Sequence, residues 1–132
     1  PLLLVGTGTG LAPLLGIARD ALHRGHTGPI TLLHGAVTPA GLYLVDVLKD
    51  MSSAHPNFSY LRCALHGEAA EGLQIGGIEA VAAALHPKLA GHRVFLCGDP
   101  ERVQALRKQC FLRGARMNQI LADAFVTAPP PA

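Results

Sequence analysis

The chain has 132 residues, 49% of them hydrophobic and 15% charged, with a formal net charge of +2. That length suits one domain with a buried core, and the composition excludes a disordered or fibrous chain. Lys and Arg are scattered and aromatics make up only 5%, so the two do not interleave for base stacking and nucleic acid is not an expected partner.

Residues 2–5 are an uninterrupted apolar run that ends in a glycine cluster, the pattern of a strand buried on both faces. From Leu11, apolar side chains recur at Leu14, Leu15, Ala18, Ala21 and Leu22, which predicts a helix that stops near Gly25 and Gly28. Residues 30–33 predict a second strand. Thr38 before Pro39 predicts an N-cap with proline at the first helical position, opening a helix that carries Leu42, Val45 and Leu48. Residues 58–65 contain a third strand, residues 78–85 an Ala-rich third helix and residues 93–97 a fourth strand. Asp99 before Pro100 repeats the cap signal for a helix with Val103, Leu106 and Cys110 on one face and Gly114 at its end. Residues 117–121 are the last predicted strand, and the Pro-rich residues 127–132 are expected to be a disordered tail.

Strand and helix alternate throughout, which predicts an α/β fold: a doubly wound parallel five-stranded sheet with helices on both faces. Ligands of such sheets bind at the carboxyl ends of the strands, where the strand order reverses. The glycine cluster and residues 97–100 then share one rim.

Several classes fall away. The sequence has no run of about 20 apolar residues, so no membrane span is predicted. Cys63, Cys97 and Cys110 form neither a CxxC pair nor an even disulfide framework, and they are too few to hold an iron–sulfur cluster. A reducing, cytoplasmic setting is expected. The seven His include no HxxxH or HxH pair, and no metal site is expected. Arg102, Arg107, Lys108, Arg113 and Arg116 read either as a solvated helix face or as a surface for an acidic partner. The chain opens at Pro1 without Met, as though cut from a longer protein at a domain boundary.

Gly6, Thr7, Gly8, Thr9 and Gly10 lie between a strand and a helix. Without side chains the backbone N–H groups can approach a phosphate, and the helix dipole favours its negative charge, so a pyrophosphate fits there. The bland alternative is a tight turn. No Lys follows the glycines, which argues against a P-loop NTPase. On its own, Cys97 reads as a small buried residue ending a strand, and Asp99 as an ordinary N-cap.

Gly8, Thr9, Gly10, Leu11, Ala12 and Pro13 spell GTGLAP, and Cys97, Gly98, Asp99 and Pro100 spell CGDP before a helix. Together they resemble the two signature motifs in the NAD(P) domain of ferredoxin reductase-like flavoenzymes. Residues 34–51, residues 76–85 and the segment ending at Phe125 are similar to the same family, so the resemblance covers nearly the whole chain. It implies a Rossmann-like, nicotinamide-dinucleotide-binding domain over residues 1–126, without the preceding β-barrel whose RxYS-like motif holds the flavin.

Residue roles follow from that resemblance. Gly8, Thr9 and Gly10 would hold the pyrophosphate, with Thr9 offering a hydroxyl, while Leu11, Ala12 and Pro13 complete the loop. Cys97 would be the catalytic residue, beside the nicotinamide, positioning and polarising it without covalent attack. Gly98, Asp99 and Pro100 would line the cofactor, and Phe125 would face the flavin. Gly35, Ala36 and Val37 would meet the adenosine ribose. Neither that stretch nor Leu65, His66 and Gly67 offers a guanidinium for a 2′-phosphate, which favours NADH over NADPH. His34, His66 or Arg62 are the possible substitutes.

The activity implied is transfer of hydride from NADH to FAD or FMN on a flavin-binding domain of the same native polypeptide. An iron–sulfur protein or an oxygenase would receive the electrons. Two other readings stand beside it: a stand-alone nucleotide-binding or regulatory module without catalysis, and another doubly wound domain that binds a phosphate ligand for different chemistry.

Overall fold

A computed structural model of the protein describes residues 1–124; Phe125, the end of the expected 1–126 domain and the Pro-rich residues 127–132 lie outside the described residues. The strands are β1 (Leu2–Thr7), β2 (Ile30–Ala36), β3 (Phe58–Ala64), β4 (Leu73–Ile75), β5 (Arg93–Gly98) and β6 (Ile120–Ala124). The helices are α1 (Leu11–His23), α2 (Val45–Ala54), α3 (Ile78–Leu85) and α4 (Pro100–Leu112). The sheet is parallel at every pairing, in the order β4-β3-β2-β1-β5-β6. The chain steps from β1 outward to β4 and then returns to the other side of β1, so the strand order reverses between β1 and β5.

Side-chain alternation along these strands builds two cores. On one face Leu3, Val5, Leu33, Val94 and Leu96 meet Val81 of α3 and Val103, Leu106 and Cys110 of α4. On the other, Leu4, Ile30, Leu32 and Phe58 meet Leu11, Leu14, Leu15 and Ala18 of α1 and Leu48 of α2. Burying a leucine in this way is worth about 1.5–3 kcal/mol. The helix ends are cut by glycine: Gly25 and Gly114 have φ of 82° and 107°. Each closes the preceding helix with the paired backbone bonds of a Schellman motif, Gly25 to Leu22 and His26 to Ala21, Gly114 to Phe111 and Ala115 to Cys110.

Three expectations need correction. The sheet has six strands among the described residues where five were expected. The additional one, β4, has three residues, too few for a hydrophobic period, and is set between Gly72 and Gly76, both at positive φ. It is held by parallel pairing to β3 and by Arg62, which donates to the Glu71 carbonyl at 2.8 Å.

The second helix does not begin at Thr38. Pro39–Gly41 is a single 3-10 turn and the Thr38 side chain caps nothing. Leu42 is extended, Leu44 turns left-handed at φ 56°, and α2 starts only at Val45. The left-handed leucine costs about 1–2 kcal/mol. The intervening stretch delivers the Tyr43 hydroxyl to the carbonyl of Gly8 at 3.0 Å. The last strand also begins later than expected, because Met117–Gln119 is a 3-10 turn and Ile120 is the first residue to enter the core.

Candidate functional site

The carboxyl ends of β1, β2 and β5 lie in register: Gly6 pairs with His34 on one side and with Cys97 on the other. Their loops wall a cleft of about 770 Å³ lined by Thr7 and Gly8, by residues 35–38, by residues 76–79 at the start of α3, and by residues 98–102 at the start of α4. Seven of the expected site residues come together there: Gly8, Gly35, Ala36, Val37, Gly98, Asp99 and Pro100.

The glycines earn their places by different physics. Gly8 has φ 55°, and a Cβ there would meet nothing within 4 Å, so it serves the turn and leaves the surface open. Gly10 is buried, and a Cβ would lie 2.6 Å from the carbonyl oxygen of Cys97, so its work is close packing of the loop on β5. Gly98 has φ 139°, and a Cβ would collide with Thr7 Oγ1 and approach its carbonyl at 3.0 Å. Gly35 faces Ile78, where a Cβ would sit 2.8 Å from the side chain. These contacts bring three strand ends and α3 to one small opening.

Leu11, Ala12 and Pro13 of GTGLAP face elsewhere. Leu11 points into the core, while Ala12 and Pro13 are exposed on the first turn of α1 and do not line the cleft. That turn has no side-chain cap, since Gly10 occupies the N-cap position. α4 differs: the Asp99 carboxylate accepts from the N–H groups of Glu101 and Arg102, both at 3.4 Å, with Pro100 in the first turn.

Cys97, the next-to-last residue of β5, is 4% exposed and packed in the α1 core. Burial, and then the charge of Asp123, pushes its thiol pKa up. Cys63, at the floor of the cleft, is pushed up to about 11 by burial and then by Glu79. Both are thiols near neutral pH, unsuited to nucleophilic attack. The three suggested phosphate-binding substitutes lie apart from the cleft. His34 is fully buried with Nε2 3.2 Å from the Gly8 carbonyl, Arg62 holds the Glu71 carbonyl, and His66 is exposed beyond β3.

Residues 4–108 match the family described as the oxidoreductase NAD-binding domain. The chain belongs to that family. As an NAD-binding domain it is 39% identical over 125 residues to the reductase component of a naphthalene 1,2-dioxygenase system from Pseudomonas putida, covering 95% of this chain and 38% of that protein. It is 31% identical to a reductase component of terephthalate 1,2-dioxygenase from a Comamonas species, covering 98% of this chain and 39% of that one. Among solved structures, an Amycolatopsis cytochrome P450 reductase superposes with a TM-score of 0.85 at 33% identity, over 95% of this chain and 37% of the other. A ferredoxin NADP+ reductase from Neisseria gonorrhoeae with bound FAD and NADP superposes at 0.79 and 26% identity, over 93% of this chain and 55% of that one. This NAD-binding domain therefore has the ferredoxin reductase-like fold, and it spans just over a third of the length of the oxygenase reductase components it matches.

Around the cleft the NAD-binding domain makes contacts that the sequence did not foretell, although it had singled out Thr7, His34 and Arg102 on other grounds. Thr7 Oγ1 is buried beside the cleft, against Gly98, without a hydrogen-bond partner among the described residues. Its place inside the glycine loop was a usable signal. Tyr43 and His34 share the Gly8 carbonyl and pack edge to face at 5.3 Å. Arg102 reaches across from α4 to Glu79 on α3, with Nη1 2.8 Å from Oε1. No local pattern announces either arrangement.

Proposed function

We propose that this NAD-binding domain receives NADH and presents its nicotinamide to a flavin, FAD or FMN, carried on a domain outside this chain. The electrons would pass on to an iron–sulfur protein or an oxygenase, as the names of the oxygenase reductase relatives suggest. The observation that carries this reading is the meeting of two glycine loops, residues 8–10 and 98–100, at the reversal of strand order between β1 and β5. The chain's residues suit a dinucleotide: an open Gly8, an orphaned Thr7 hydroxyl and an α1 N-terminus without a side-chain cap.

The division of labour follows from these surfaces. The α1 end and Gly8 bind the pyrophosphate, residues 35–37 border the adenosine ribose, and Gly98 with the Cys97 backbone supports the nicotinamide rim. When bound, the nicotinamide supplies the hydride. The protein supplies orientation and a dry wall, and Cys97 acts by position, not as a nucleophile. Phe125 is assigned to the flavin side. No helix among the described residues is long and apolar enough to cross a membrane. The three buried free cysteines support a reducing, cytoplasmic setting.

Titration with NADH, followed by amide resonances, is expected to shift Gly8, Thr9, Gly10 and Gly98. Resonances that stay put would defeat the assignment. In the flavin-bearing parent, Cys97→Ala is expected to slow flavin reduction while leaving NADH affinity nearly unchanged, and an affinity loss alone would relocate the residue. The near-complete burial of the Cys97 thiol favours a second reading, a nucleotide-binding module without catalysis. A flavin-bearing parent that binds NADH but does not pass its hydride to the flavin would support it.

A further inference from the structure

The NADH preference proposed above rests on missing cations, but the cleft does contain one. Among its described lining residues Arg102 is the sole cationic side chain, against the three carboxylates of Glu79, Asp99 and Glu101. Arg102 reaches from α4 to Glu79, whose neighbour Ile78 packs on Gly35 at the border assigned to the ribose, so a 2′-phosphate held by a cation of this wall must be held by Arg102, and a guanidinium is the group best shaped for it.

Arg102 is already engaged. Its Nη1 lies 2.8 Å from Glu79 Oε1, a close charge contact that is not aligned as a hydrogen bond. Nη2 is 3.7 Å from Glu101 Oε1, and Nε is 3.9 Å from Asp99 Oδ2. Of the three acids, Glu79 is the shielded one: its side chain is 16% exposed, against 84% for Glu101 and 56% for Asp99. Solvent screens the contact to Glu79 least. A carboxylate there both occupies the guanidinium and repels an incoming phosphate dianion, whereas a ribose hydroxyl carries no charge to repel.

We infer that Glu79 is the cofactor-specificity residue of this cleft: by holding Arg102 it denies the site's one guanidinium to the 2′-phosphate of NADPH. This rests on the nucleotide reading of the cleft and names what selects between the two dinucleotides within it.

The test uses the full chain, titrated with NADH and NADPH and followed by nucleotide fluorescence or calorimetry. Glu79→Gln preserves shape and removes the charge. The ratio of NADPH to NADH affinity is expected to rise by about tenfold, while Glu101→Gln, at an exposed position, changes it by less than about twofold. Adding Arg102→Gln to Glu79→Gln is expected to abolish the gain. An unchanged ratio overturns the inference. So does an equal gain for both dinucleotides, because Arg102 would then serve the pyrophosphate they share. Glu79→Ala is the second variant, and loss of the fold in both would make the pair structural and overturn the assignment. Wild-type chain that binds neither dinucleotide would bring down the nucleotide reading itself, a result distinct from an unchanged ratio.

Discussion

Two helices begin on the same rim, and they are finished in opposite ways. α1 starts after Gly10 with no side-chain cap, whereas at α4 the Asp99 carboxylate occupies two N–H groups and places a negative charge in front of the helix. Both starts carry the positive end of a helix dipole, but only one is left to a ligand. In the binding mode proposed above, a phosphate group is thereby directed to the β1–α1 loop. The β5–α4 loop serves close packing of β5 on β1, through Gly98 against Thr7.

Predictions can break or sharpen this contrast. The largest effect is expected at Gly98, where alanine would force the strand ends apart and hold an unfavourable φ. Gly98→Ala should cost about 2–4 kcal/mol in urea unfolding. Gly8→Ala, with open space around it and only the left-handed φ to resist, should cost about 1–2 kcal/mol. Equal losses at the two sites would contradict the distinction between a packing glycine and a turn glycine.

Removing the cap is expected to be milder. Asp99→Ala should destabilise the protein by about 1 kcal/mol and leave NADH affinity within about threefold. Tighter NADH binding by an order of magnitude or more would mean that the phosphate sits on α4, against the contrast drawn here.

The smallest effect is a pH dependence. Burial lowers the pKa of His34, and the bond to the Gly8 carbonyl offsets this only in part. Protonation would add an N–H at Nδ1, which is buried without an acceptor among the described residues. The unfolded chain therefore takes up the proton first as the pH drops below about 6.5. Stability should be full above that value and decline as the pH falls through the lower folded pKa. His86, lowered by burial and by the nearby His92 and Arg113, should add to the same decline. Unfolding free energies measured from about pH 7 to about pH 5 should fall less in His34→Gln than in wild type. Parallel curves would remove His34 from the account.

Much of the architecture was legible because it is written locally. The apolar runs of β1 and β5, the helical stripe of α1, the Ala-rich α3 and the two glycine loops each occupy a short stretch with its own period or punctuation. What stayed hidden depends on distant partners or on brevity. β4 is a three-residue edge strand that exists through its pairing with β3. The late start of α2 answers to a hydrogen bond between Tyr43 and Gly8, 35 residues apart. The Glu79–Arg102 contact joins two helices, and nothing near either residue foretells it. GTGLAP marked the rim on which the cleft opens but did not separate Gly8, which lines the opening, from Leu11, which fills the core.

The Gly8 carbonyl accepts from both His34 and Tyr43. Because its peptide is planar and trans, fixing the carbonyl on that side also fixes the Thr9 amide in the opposite direction. The loop is thus set like the stationary jaw of a vice before any anion arrives. An incoming phosphate meets a dipole that does not have to turn, and little rotational freedom is lost on contact. A dinucleotide bound in the proposed mode would then be met by a loop that needs no rearrangement of its own.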